Sequence, residues 1–196
     1  MALPFVLNEY IYSYTAESEN INNFPGADVF EDEKAFSYEK IVSSLEKLHN
    51  NVIDPLRLEF GPYTNNSNKM IKINSAYRCT ALNSYVDGAS NSQHKYGLAV
   101  DIQSPKHRSS LIWNWCFQNL DYHQLIWEFP ERGDRIDGNG RRSWVHISYV
   151  EGNNKKINTI ATQREDLHQM YESESTTRKP NSIYTSGIKI ADQTLL

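Results

Sequence analysis

A carboxylate set among apolar strand residues restricts a fold more tightly than any average property of a chain. The stretch NSQHKYGLAVDI, Asn91 to Ile102, contains one: Asp101 stands between Val100 and Ile102, six residues after His94. An ionised aspartate in such a place is costly unless something pairs with it. A cation is the partner that the rest of the sequence suggests.

Alternate residues on a strand share a face. In GLAVDI the face of Asp101 carries Ala99 and Gly97, and the other carries Leu98, Val100 and Ile102. In WVHIS the face of His146 carries Trp144 and Ser148, opposite Val145 and Ile147. In QLIWEF the face of Glu128 carries Gln124 and Ile126, opposite Leu125, Trp127 and Phe129. Two histidines and an aspartate, His94, Asp101 and His146, make a three-ligand zinc set with a fourth position left for water. A further carboxylate such as Glu128 can take that water's proton. Each residue also has a plainer reading. Asp101 could pair with Arg78 or a lysine, and Glu128 could face solvent. His49, His107, His123 and His168 read as ordinary hydrogen-bonded or solvated histidines.

The 196 residues suffice for one domain with a core plus extensions. A net charge of -4 provides no field to gather nucleic acid or an anionic membrane. Cys79 and Cys116 have no CxxC spacing and read as buried free thiols, with a single bridge open to an exported chain. The opening MALPFVLNEYIYSY lacks a basic segment and a continuous apolar run, so it does not read as a signal peptide. No apolar run approaches the ~18 residues of a membrane span.

Along the chain, EYIYSY reads as a short strand. Ala35 to Phe60 is helical, with Ile41, Leu45, Leu48, Val52 and Ile53 at helical spacing, a kink or restart at Pro55 and a stop at Gly61. KMIKINSAYRC is a strand, TALNSYV a short helix and DGASNSQHKYG a polar loop. LAVDI, YHQLIWEFP and WVHISYV are strands. SPKHRSSLIWNWCFQNL is a helix with Leu111, Ile112, Trp115 and Leu120 as its apolar face. ERGDRIDGNGRRS is a polar hairpin loop. This order predicts an α+β fold with a small, largely antiparallel sheet and flanking helices. The expected divisions are an N-terminal extension at 1–36, a catalytic domain at 37–150, and a C-terminal extension at 151–196, partly extended or flexible, with a short helix near Glu165 to Glu172.

INSAYRCTALNSYVDGASNSQHKYGLAVDI, followed by QLIWEF and WVHISY, resembles the zinc D-Ala-D-Ala carboxypeptidase family. That family includes VanY-type carboxypeptidases and phage endolysin peptidases and shares the hedgehog/DD-peptidase fold. The resemblance rests on Ser75-Ala76-Tyr77-Arg78, Ser92-Gln93-His94, Asp101 and Trp144-Val145-His146, and it runs from about 37 to 150. It implies that His94, Asp101 and His146 bind zinc and that Arg78 holds the substrate carbonyl or the oxyanion. Ser92 would bind substrate or steady the ligand loop; its plainer reading is a loop serine. Relatives place an acid three positions before the last histidine, where this chain has Ser143. Glu128 is the substitute base, with Asp137 and Glu131 as fallbacks.

The implied activity is hydrolysis of peptide bonds in bacterial peptidoglycan stem peptides, as a carboxypeptidase or an endolysin-type endopeptidase. The cleft would lie between the 84–93 loop and the 130–143 hairpin. The chain would be a phage-encoded monomer, made in a cytoplasm without a signal peptide and acting on the cell wall. The absent acid at position 143 favours one alternative, a non-catalytic zinc-stabilised binding module or virion component of the same fold.

Overall fold

A computed structural model describes residues 4–27, 37–61, 71–130, 143–153, 156–161 and 182–184. The helices are α1 (Leu7–Ile11), α2 (Tyr14–Ser18), α3 (Tyr38–Leu48), α4 (Asp54–Phe60), α5 (Thr80–Tyr85) and α6 (Ser109–Asn119). The strands are β1 (Lys72–Ser75), β2 (Ala99–Gln103), β3 (Gln124–Glu128), β4 (Trp144–Ser148), β5 (Ile157–Ala161) and β6 (Ser182–Tyr184). They form one mixed sheet in the order β1-β2-β4-β3-β5-β6. The β1–β2, β2–β4 and β4–β3 pairs are antiparallel, and β3–β5 and β5–β6 are parallel. This is the expected α+β architecture.

The two faces of the sheet divide as the alternation requires. Val100, Ile102, Leu125, Val145 and Ile147 are fully buried in the main core, together with residues of α3, α4 and α6. The opposite face carries Asp101, His146 and Glu128. The core face of α6 is Ile112, Trp113, Cys116 and Phe117, with Leu120 just beyond. Leu111, expected on that face, is half exposed, and Trp115 is only partly buried. The three apolar residues in succession from Leu111, with Trp115 to Phe117 close behind, obscure which stripe turns inward.

Between α3 and α4 the helix widens into a π-turn over His49–Ile53. Pro55 follows in the first turn of α4. Proline has no N–H to give the preceding turn, and the wider turn keeps the helix continuous without that bond. Gly61 ends α4 with φ 125°.

Two expectations are corrected. EYIYSY is not a strand: it spans α1, the Tyr12–Ser13 corner and the start of α2. Ser13 caps α2 by accepting the Ala16 N–H at 3.2 Å. Tyr10 on α1 is fully buried in the core, where its hydroxyl meets His49 Nδ1 at 2.7 Å. The alternating aromatics mimic a strand, but a cap and a single buried tyrosine are enough for two short helices. Second, the chain after Val150 adds β5 and β6 to the sheet. β5 pairs in register with the whole of β3, from Gln124↔Ile157 to Glu128↔Ala161. The helix expected at Glu165 to Glu172, the hairpin at 131–142 and His168 lie outside the described residues. Among the described residues, no helix is long and apolar enough to cross a membrane.

Candidate metal centre

Antiparallel register brings the site together. Asp101 on β2 is the direct partner of His146 on β4, and His146 is the partner of Ile126 on β3. Glu128 sits one pleat further along β3, opposite Trp144. His94 arrives from a 3₁₀ turn, Gln93–Tyr96, that precedes β2. Gly97 ends that turn with φ +67°, and a Cβ there would stand 2.9 Å from the Ile41 carbonyl and 3.0 Å from the Leu45 side chain. Only glycine allows the turn to press on α3 and hand the chain to β2. Gly97→Ala therefore loses about 2 kcal/mol of stability in urea denaturation, from backbone strain and overpacking together.

His94 Nε2, His146 Nδ1 and Asp101 Oδ1 form a triangle. Its edges are 3.3 Å from His94 to His146, 3.3 Å from His94 to Asp101 and 2.9 Å from His146 to Asp101. A tetrahedral zinc site with bonds of about 2.05 Å has ligand-to-ligand edges of about 3.3 Å. All three residues are buried, and together they could hold a metal ion.

The hydrogen bonds around the triangle suit that use. His94 Nδ1–H donates to the Ala76 carbonyl at 2.6 Å, which leaves Nε2 with its lone pair facing the other two. Burial, with Arg78 adding to it, pushes the His94 pKa down to about 4, so the ring is neutral as a ligand must be. Burial opposes ionisation of Asp101, but the Arg78 guanidinium and the hydrogen bond from His146 outweigh it and hold its pKa well below the ordinary range. Burial also disfavours a charged His146, but the hydrogen bond to Asp101 and the charges of Asp101 and Glu128 outweigh it and raise its pKa. Three lone-pair sites thus share one proton, carried on His146 and donated to Asp101.

Arg78 lies in the irregular segment between β1 and α5. Its Nη2 donates to Asp101 Oδ2 at 2.5 Å and its Nε to Ser75 Oγ at 2.7 Å. The plainer reading of Asp101, an ion pair with Arg78, is therefore present, and it uses one carboxylate oxygen while the other faces the histidines. Glu128 is partly buried. Burial, with the Asp101 charge adding to it, raises its pKa to about 7; His146, Arg78 and a hydrogen bond from Trp144 act in the other direction.

These groups open into a cleft of about 380 Å³. Arg78, Ser92, Glu128 and the three triangle residues all line it. Ser92 caps the start of the 3₁₀ turn through its backbone. The 86–89 segment forms one wall, as expected, but Ser13 and Thr15 on the N-terminal segment line it too. Ser143 is buried and does not line the cleft; its carbonyl accepts from Gln103 and Ser109. Asp137 and Glu131 lie outside the described residues. His49 and His107 are hydrogen-bonded away from the cleft, to Tyr10 and to the Phe60 carbonyl, and His123 is buried against Gln93. Sequence reasoning missed three contributors: the Ala76 carbonyl, Ser75 as a support for Arg78, and the N-terminal wall. A backbone carbonyl leaves no trace in residue identity, and the wall depends on how two short helices dock.

No curated protein matches the chain. The sequence model of the family Peptidase M15 matches residues 35–126, a span that includes Arg78, Ser92, His94 and Asp101 and ends before Glu128 and His146. That similarity, with the His-Asp-His triangle just described, supports a peptidase of a family whose members are typically zinc-dependent.

Proposed function

We propose that this chain is a zinc metallopeptidase that hydrolyses peptide bonds of bacterial peptidoglycan stem peptides. The observation that carries the reading is the triangle of His94, Asp101 and His146, whose edges suit a tetrahedral ion and which lines a cleft shared with the Glu128 carboxylate and the Arg78 guanidinium. The similarity to Peptidase M15 supports the reaction class. The stem peptide is the substrate suggested by the resemblance to D-Ala-D-Ala carboxypeptidases, and a cleft of about 380 Å³ suits so short a ligand.

His94 Nε2, His146 Nδ1 and an Asp101 oxygen would hold the ion. Zinc supplies, when bound, Lewis-acid polarisation of the scissile carbonyl and of an attacking water. Glu128 takes the water's proton and returns it to the leaving amine. Arg78, fixed by Ser75 and Asp101, turns its remaining N–H groups toward the developing oxyanion. Ser92 lends a hydroxyl at the cleft wall to orient the peptide.

Metal binding is linked to pH. The proton on His146 must leave when zinc arrives, so binding releases a proton below the raised pKa of His146. Below that pKa, affinity falls by about tenfold per pH unit. Calorimetric titration of the metal-free protein in buffers of different ionisation enthalpy reads this directly. Equal heats in all buffers at pH 6 would show that no proton is exchanged. Mass spectrometry of muropeptides after digestion of purified cell wall tests the substrate: released stem-peptide fragments support it, and unaltered muropeptides with a zinc-loaded protein count against it.

A further inference from the structure

The arginine over the metal centre is held by a part of the chain that the Peptidase M15 match does not reach. Residues 76–79 run between β1 and α5; the Arg78 N–H donates to the His94 carbonyl at 3.2 Å, and Cys79 caps α5. Asn23, in the N-terminal segment and only 8% exposed, adds a hold on both flanks of Arg78. Its Nδ2 donates to the Tyr77 carbonyl at 3.1 Å, and its Oδ1 accepts the Cys79 N–H at 2.7 Å. One side-chain amide therefore grips the main chain on both sides of Arg78. The same Nδ2 donates to the Ile11 carbonyl at 2.8 Å, which ties the grip to the end of α1. The Tyr10 main-chain carbonyl, on α1, accepts the Tyr77 N–H at 2.9 Å. α1 is itself anchored by the bidentate pair of Glu9 with Arg57 on α4, at 3.1 and 2.6 Å.

We infer that Asn23 is a positioning residue for Arg78: its amide sets the height of the guanidinium over the metal centre and so couples the N-terminal segment to catalysis. Arg78 reaches Asp101 and Ser75 only if its own Cα stays in place. A displacement of about 1 Å in a positioned group can cost up to about 100-fold in rate. Asn23 is neither one of the three metal-binding candidates nor one of the residues that line the cleft. Its effect passes through the backbone at 77–79, and it should bear on turnover rather than on substrate capture. The inference rests on the reading of Arg78 as the group that faces the oxyanion.

The test uses the full-length chain with Asn23→Ala, Arg78→Ala and the double variant. Zinc-loaded proteins are assayed on muropeptides from purified peptidoglycan. Metal-free proteins are examined by nitrogen-15 NMR for the Arg78 Nε–H resonance, which the bond to Ser75 keeps distinct. Asn23→Ala should lower kcat by about tenfold or more with KM within about twofold, and should shift or broaden that resonance. In the Arg78→Ala background the same substitution should lower kcat no further. A variant that is less stable but keeps wild-type kcat and an unmoved resonance would overturn the inference, as would additive losses in the double variant. If Asn23→Ala does not fold, Asn23→Asp, which keeps the acceptor to Cys79 and loses both donors, is judged by the same criteria. If the wild type hydrolyses nothing, the peptidase reading fails, and the resonance alone decides the role of Asn23.

Discussion

Glu128→Gln should bind zinc as the wild type does and lose at least about 100-fold in turnover, the usual contribution of a general base. The substitution keeps the size and hydrogen-bonding shape of the side chain and removes only its ability to take a proton. A second consequence separates this carboxylate from a surface one. Burial raises its pKa from 4.5 to about 7, so the metal-free fold holds the proton more tightly than the unfolded chain does. A raised carboxyl favours the fold at low pH, and that contribution is lost as pH rises from about 4.5 to about 7. At about 1.4 kcal/mol per pKa unit, the loss is about 3 kcal/mol. Glutamine has no such slope, so metal-free Glu128→Gln should gain on the wild type by that amount between pH 4 and pH 8 in urea denaturation. Full activity in the variant would move the base elsewhere, and a wild-type pH slope in its stability would deny the buried carboxyl.

Asp101→Ala should have the larger effect on the protein as a whole. It removes one corner of the triangle, and the loss of zinc affinity should exceed the roughly 100-fold that removing an outer-shell partner costs. It also leaves the mostly buried Arg78 guanidinium without its partner, and breaking a buried pair from one side costs about 3–5 kcal/mol. The two effects separate in Asp101→Asn, which can still accept from Arg78 but carries no charge for the cation. Asn should recover much of the metal-free stability and little of the zinc affinity. Equal recovery of both would mean that the carboxylate serves the arginine alone.

Much of this arrangement was legible because strands broadcast their faces. Asp101, His146 and Glu128 each sit at the right parity in a short apolar run, and the burial of Val100, Val145 and Leu125 on the other face follows from the same alternation. β4, the last of the three in the chain, then pairs antiparallel with both β2 and β3 and brings the three side chains together. Other features were not legible, for identifiable reasons. β5 lies parallel to β3, so its pairing is non-local and has no turn signal beside it. α1 and α2 are each five residues long, too short for a periodicity to be heard over the aromatic alternation of EYIYSY. The grip of Asn23 on Tyr77 and Cys79 spans more than fifty residues and is made to backbone atoms, which residue identity does not record.

The role of the N-terminal residues changes the meaning of the expected division at residue 36. Tyr10 is core, Ser13 and Thr15 are cleft wall, and Asn23 holds the arginine segment. A truncation at that point would remove a core residue, two residues of the cleft wall and the hydrogen bonds of Asn23 to Tyr77 and Cys79.

The most direct measurement is native mass spectrometry of the metal-free chain titrated with zinc, wild type beside His94→Ala. His94 is the variant of choice because its ring is neutral, so its loss leaves no unpaired charge. One zinc ion per wild-type chain, and none retained by the variant, is the expected outcome. A wild type that takes up no zinc, or a variant that binds it equally well, would contradict the account at its centre.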